Sequence, residues 1–123
     1  MMTESNTRPN NNKLYEISGW EDENLQLKAK LVRGIYSMGF EIPSSIQKTA
    51  LYPMIHNIHN NRHSDIIEQA QSGTGKTGAF SVGTLQLIDE TVDETQALII
   101  APTHELAAQT AAVIKQLGTY LKI

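Results

Sequence analysis

A chain of 123 residues, 40% hydrophobic and 19% charged, has room for one globular domain and not for two of ordinary size. No apolar run approaches the roughly 20 residues of a membrane-spanning helix, no secretory leader opens the polar N-terminus, and the lack of cysteine excludes disulfides and thiolate metal sites. The expectation is a cytoplasmic protein with no membrane partner. A net charge of −3 excludes a generally basic nucleic-acid binder and leaves room only for a local contact to phosphates.

Taken in chain order, residues 1–19 read as a disordered polar tail, rich in Asn, Thr and Ser as far as residue 13, and residues 20–123 read as the domain. Trp20 stands before Glu21-Asp22-Glu23, acids placed to favour the N-terminus of a helix that carries Leu27, Leu31, Val32 and Ile35. Gly39 sits where a left-handed residue closes that helix, with Phe40 beyond it. A second helix opens at Pro43-Ser44-Ser45-Ile46-Gln47, its apolar stripe formed by Ile46, Ala50 and Met54, and Ser44 and Gln47 have the spacing of a capping box. The stretch from His56 to Ser64, dominated by Asn and His, reads as a solvated loop. His56, His59 and His63 would share one face if the helix continued, but no acid or cysteine completes a metal set there.

The run Ala70-Gln71-Ser72-Gly73-Thr74-Gly75-Lys76-Thr77 carries the clearest chemistry. Glycines let successive backbone N–H groups turn inward around a phosphate, Lys76 can reach the β and γ oxygens, and Thr77 supplies a hydroxyl for a magnesium ion. The expected ligands are ATP and Mg2+. Ala70 stands where the general pattern asks for glycine, and an ordinary Gly-rich turn is the competing reading. The flanks favour the phosphate loop, since Asp65-Ile66-Ile67 can enter as a strand and a helical pattern follows Lys76.

That helix carries Phe80, Leu85, Leu87 and Ile88, and Gly78 and Gly83 weaken it by about 1 kcal/mol each relative to alanine. Its inner face must therefore pack tightly. Asp89 and Glu90 read as its solvated end rather than as catalytic acids, and Asp93 and Glu94 as loop residues. Ala97-Leu98-Ile99-Ile100-Ala101, stopped by Pro102, reads as a buried parallel strand. A last helix shows Leu106, Thr110, Val113, Ile114 and Leu117 on its apolar side, with Glu105 in its first turn. Strand, phosphate loop, helix, strand and helix make an α/β unit with too few strands for a whole sheet. Its strand edges would be open to association.

With these residues in place, the chain resembles the N-terminal part of the DEAD-box ATP-dependent RNA helicases, most closely their translation-initiation branch. Leu31-Val32-Arg33-Gly34-Ile35-Tyr36-Ser37-Met38-Gly39-Phe40 followed by Pro43-Ser44-Ser45-Ile46-Gln47 looks like that family's Q motif with its lead-in. Ala70 to Thr77 is its motif I letter for letter, Ala70 included, and Pro102-Thr103-His104-Glu105-Leu106-Ala107 looks like motif Ia. The resemblance implies a partial RecA-like P-loop domain, its parallel strands flanked by helices in an incomplete sheet. It implies that Gln47 reads the adenine edge, that Trp20 packs near the base where the family carries Phe, and that Pro102 and Thr103 meet RNA. Gln47 keeps a second reading, a cap to Ser44, and the two roles can alternate. His104 replaces the family's arginine, so a permanent cation gives way to an imidazole.

The Asp-Glu-Ala-Asp motif and the second RecA-like domain have no counterpart in the sequence, so the expectation is nucleotide binding with no catalytic residue, hydrolysis or unwinding. The competing expectations are a non-enzymatic module that binds nucleotide or docks on a companion helicase chain, and a poorly folded product. A small P-loop kinase is set aside, because Arg8, Arg33 and Arg62 are the only arginines and none follows the loop.

Overall fold

The helical periodicities become four helices, α1 (Ala29–Ser37), α2 (Ser45–His59), α3 (Lys76–Leu87) and α4 (His104–Leu117), in the computed structural model, which describes residues 15–59 and 65–123. Helix α1 buries Leu31 and Ile35 on one face and ends as its glycine predicts. Gly39 adopts φ +82°, its N–H donates to Tyr36 O at 2.9 Å, and the Phe40 N–H donates to Ile35 O at 3.4 Å. This pair of bonds is a Schellman closure, which satisfies carbonyls the helix leaves open.

The acids before α1 do something other than expected. None lies in its first turn, because the helix begins only at Ala29. Asp22 instead organises the preceding loop, accepting the Ser18 N–H at 2.8 Å, the Asn24 N–H at 2.9 Å and the Tyr15 hydroxyl at 2.9 Å. The Ser18 N–H contact leads the causes that lower the Asp22 carboxyl from its ordinary 3.8 to about 2. A carboxyl depressed on folding stabilises the native state above its unfolded pKa, and the contribution is lost as pH falls through the folded one. Thermal melts should therefore show a loss of stability between about pH 4 and pH 2 that is smaller in Asp22→Asn. Equal slopes in the two proteins would show that Asp22 is not the titrating group.

Residues 15–19, read from sequence as the end of a disordered tail, are part of the fold. Ile17 is buried and its N–H donates to Lys48 O at 3.0 Å. Residues 1–14 lie outside the described residues. Helix α2 continues through His59, so residues 56–59 are helix where a loop was expected, and residues 60–64, His63 among them, and the side chain of His59 also lie outside the described residues. Among the described residues no cluster of His, Cys, Asp and Glu could hold a metal. The buried stripe of α2 is Gln47, Ala50, Leu51 and Ile55, rotated by about one residue from the expected one. The cause is α3, which packs along that face.

Close approach explains the glycines of α3. A Cβ at Gly83 would lie 2.6 Å from the Met54 Cε, so a side chain there would push the Met54 side chain out of its place between α2 and α3. The C-terminus of α3 is closed by Lys28, whose Nζ donates to Leu85 O at 3.0 Å and to Ile88 O, a cation placed on the negative end of the helix dipole. The Lys28 N–H also donates to the Gln86 Oε1 at 2.8 Å. Gly34 of α1 touches the backbone of Leu117 in α4, and the core gathers Ile17, Trp20, Leu25 and Leu31 with Leu85 and Leu117.

The two expected strands are corrected. Residues 65–70 and 96–101 form no strand, and no strand occurs among the described residues. The run expected to be buried is open: Leu98 is 81% and Ile100 84% exposed, and Ile67 is 78% exposed. A parallel strand is buried only when neighbours pair both edges and helices cover both faces. The described residues supply neither for these side chains. The same lack of cover leaves Leu106 exposed at the start of α4, whose only buried residue is Leu117. No helix among the described residues is long and apolar enough to cross a membrane.

Candidate nucleotide site

The phosphate loop has the backbone its glycines allow. Gly73 adopts φ +81° and Gly75 φ +97°, a region that side chains avoid. Gly75 is doubly constrained, because a Cβ there would also lie 2.7 Å from the Ser44 Oγ and 2.8 Å from the Gln47 Nε2. The Thr74 hydroxyl donates to Gln71 O at 2.7 Å, and the Lys76 Nζ folds back to donate to Ala70 O. Helix α3 starts directly from Gly75 with no side chain capping it, so its first N–H groups keep the open, positive end that anions occupy. Gln71 and Ser72 are exposed beside it, and Lys76 and Thr77 are half-buried. An uncapped helix start, a bare loop and a lysine within it suit a polyphosphate.

Gln47 joins this loop to α2. Its Oε1 accepts the Ser44 N–H at 2.8 Å, and its own N–H donates to the Ser44 Oγ at 3.4 Å, which completes the capping box expected from spacing. Its Nε2 donates to Gly75 O at 3.2 Å, across 28 positions of sequence. Two motifs far apart in the chain thus share one buried amide.

The structure does not bring Trp20 to this site as an open ring. The indole is 2% exposed and its Nε1 donates to Phe40 O at 2.9 Å, so it anchors the core and has no face left for a base. Accessible rings nearby are Tyr36, at 42% exposure, and Phe40, at 39%. Pro102, Thr103 and His104 are exposed at the start of α4 and share no hydrogen bond with the phosphate loop. The Thr103 Oγ1 accepts the Leu106 N–H at 3.2 Å and serves as the N-cap. Asp89 and Glu90 are both engaged: Asp89 accepts from the Thr91 hydroxyl at 2.6 Å within a turn, and Glu90 accepts the Lys122 N–H at 2.6 Å from the far end of the chain. On the segment entering the loop, burial pushes the Glu68 carboxyl above the usual range. Sequence reasoning missed the contacts of Gly75 and Gly78 with Gln47, whose only signal was glycine inside a helical pattern.

A left-handed glycine loop that runs into an uncapped helix, with a lysine folded across it, defines a P-loop protein of the nucleotide-binding class. A profile of the DEAD/DEAH box helicases matches residues 44–123, and the chain belongs to that family, aligning with the N-terminal part of the helicase domain. It is 49% identical over 111 residues to the ATP-dependent RNA helicase eIF4A of Mycosarcoma maydis, covering 86% of this chain and 26% of that protein. It is 50% identical over 101 residues to eukaryotic initiation factor 4A of Drosophila melanogaster, with 82% and 24% covered. Against the ATP-dependent RNA helicase FAL1 of Mycosarcoma maydis identity is 53% over 97 residues, covering 79% of this chain and 23% of that protein. The chain spans about a quarter of the length of these relatives.

Among solved structures, Saccharomyces cerevisiae Dbp5 bound to RNA and ADP BeF3 superposes with a TM-score of 0.74 at 42% identity, over 80% of this chain and 24% of that one. A DEAD box protein from the hyperthermophile Methanococcus jannaschii gives a TM-score of 0.67 at 32% identity, over 75% and 24%. These neighbours are RecA-like helicases.

Proposed function

We propose that this chain is the ATP-binding N-terminal portion of a DEAD-box RNA helicase. The observation that carries the reading is the uncapped start of α3 at Gly75 with Lys76 folded into the loop and the Gln47 amide against it. In this reading residues 71–77 hold the triphosphate, the Thr77 hydroxyl meets Mg2+, and Gln47 leaves its cap to read the adenine edge. Pro102 and Thr103 meet an RNA backbone beside the α4 N-terminus. Asp65-Ile66-Ile67 and Ala97-Leu98-Ile99-Ile100-Ala101, unpaired here, become parallel strands only when the rest of a RecA-like sheet lies beside them. The contribution to the helicase cycle is binding rather than hydrolysis, since Asp89 is held in a turn by Thr91 and Glu90 is engaged by the Lys122 N–H.

Calorimetric titration with ATP and magnesium tests this. Lys76→Ala removes a charge-assisted contact of about 1.5–3 kcal/mol and weakens binding roughly 10- to 100-fold. Absence of heat with the wild-type chain overturns the nucleotide reading. Steady ATPase activity abolished by Lys76→Ala would instead overturn the claim that the chain only binds.

A second reading, a non-enzymatic module that docks on a companion helicase chain, is favoured by the uncovered Ile67, Leu98 and Ile100. It survives only if those side chains become protected when a helicase is added.

A further inference from the structure

Gly78 lies in the first turn of α3, where glycine is disfavoured relative to alanine, and its backbone does not require it. The positive-φ glycines are Gly39, Gly73 and Gly75, and Gly78 is not among them. What the position needs is space. A Cβ there would lie 2.7 Å from the Gln47 Nε2 and 3.8 Å from the Gln47 Cδ, with no other residue within 4 Å. One neighbour therefore accounts for this glycine, and that neighbour is the amide of Gln47.

The amide in turn is held at both ends and buried. Its oxygen accepts from the Ser44 N–H, its nitrogen donates to Gly75 O, and the residue is 6% exposed. At this burial its second N–H and its remaining lone pair are closed to the edge of a base. It must first leave Gly75, and any affinity that depends on it is reduced by the fraction of chains in which it has left.

We propose that Gly78 is a positioning residue that lets the Gln47 amide rest on the phosphate loop, so that the base-reading group is held back until a nucleotide draws it out. A methyl group at position 78 displaces the flexible end of one side chain rather than any backbone, so the amide gives up its bond to Gly75 O and turns outward. The consequence for base selection rests on the nucleotide site proposed above. Gly78 then weakens adenine recognition in the wild-type chain and leaves phosphate binding untouched.

The test compares the full wild-type chain with Gly78→Ala, alone and combined with Gln47→Ala. Side-chain amide exchange of Gln47, read by NMR without ligand, should be faster in Gly78→Ala. Affinity for magnesium ATP should rise several-fold while affinity for magnesium GTP stays the same. In the Gln47→Ala background the Gly78→Ala change should alter neither. Unchanged exchange overturns the proposal, as does an ATP gain that persists without Gln47, which would mark simple stiffening of α3. An unchanged or lower ATP affinity in a wild-type chain that does bind ATP overturns it as well. Faster exchange with no ATP binding by any variant supports the resting position of the amide and overturns the nucleotide reading.

Discussion

Truncating Trp20 to alanine should lower stability by about 3–5 kcal/mol, the range for removing a large buried aromatic. The indole is among the largest fully buried side chains and sits with Ile17, Leu25, Leu31 and Ile35 where the segment before α1 meets the helices. Its Nε1–Phe40 O bond also ties that segment to the turn that follows α1. Trp20→Phe keeps most of the packing and loses the bond, so it should cost about 1–2 kcal/mol including the stranded carbonyl. Urea unfolding separates the two, and nucleotide titration of Trp20→Phe addresses function. If Trp20 is a core anchor, ATP affinity in the folded Phe variant is unchanged. A fall in affinity without a fall in stability would restore the stacking role expected from the family resemblance.

Gly34→Ala should destabilise by about 2–3 kcal/mol, the upper range for overpacking a core. A Cβ at this position would lie 2.0 Å from the carbonyl oxygen of Leu117 and 3.0 Å from its carbon. These are backbone atoms of α4, so no rotamer change relieves the clash and the helix itself has to move. Moving it withdraws Leu117, the only buried residue α4 has. Alanine gains up to about 1 kcal/mol in helix propensity over glycine, which offsets part of the loss. Gly19→Ala is the control, since a Cβ there meets nothing within 4 Å. A drop in the urea midpoint common to both variants would point to something other than the α1–α4 crossing.

Local chemistry was legible from sequence and long-range packing was not. The Gly39 closure and the Ser44–Gln47 box each depend on residues within five positions, and both formed as their spacing implies. The loop glycines are equally local, since a left-handed φ follows from the pattern alone. The α2 stripe was misplaced by one residue because its orientation is set by α3, which no periodicity within α2 can report. The burial of Trp20 was illegible for a similar reason: a lone aromatic among acids gives no sign that Ile17, Leu25 and Leu31 gather with it or that Phe40 O accepts its Nε1–H. The apolar run at Ala97–Ala101 has the composition of a buried strand, but burial is conferred by neighbouring strands and covering helices, and composition does not reveal whether they are there. Of the candidate site, the glycine loop with Lys76 and Thr77 could be named, whereas the bond from Gln47 to Gly75 spans 28 positions and left no trace except two glycines.

The Lys28 clasp at the far end of α3 gives the phosphate loop a mechanical setting. Twelve residues make a rod about 18 Å long. One end is riveted to the start of α1 through Lys28 and Gln86, and the middle is pressed against Met54. At the loop end the side-chain tie to α2 is one releasable amide. The two ends of α3 are therefore held unequally, the far end by several backbone and side-chain bonds and the loop end by an amide that a ligand could compete for.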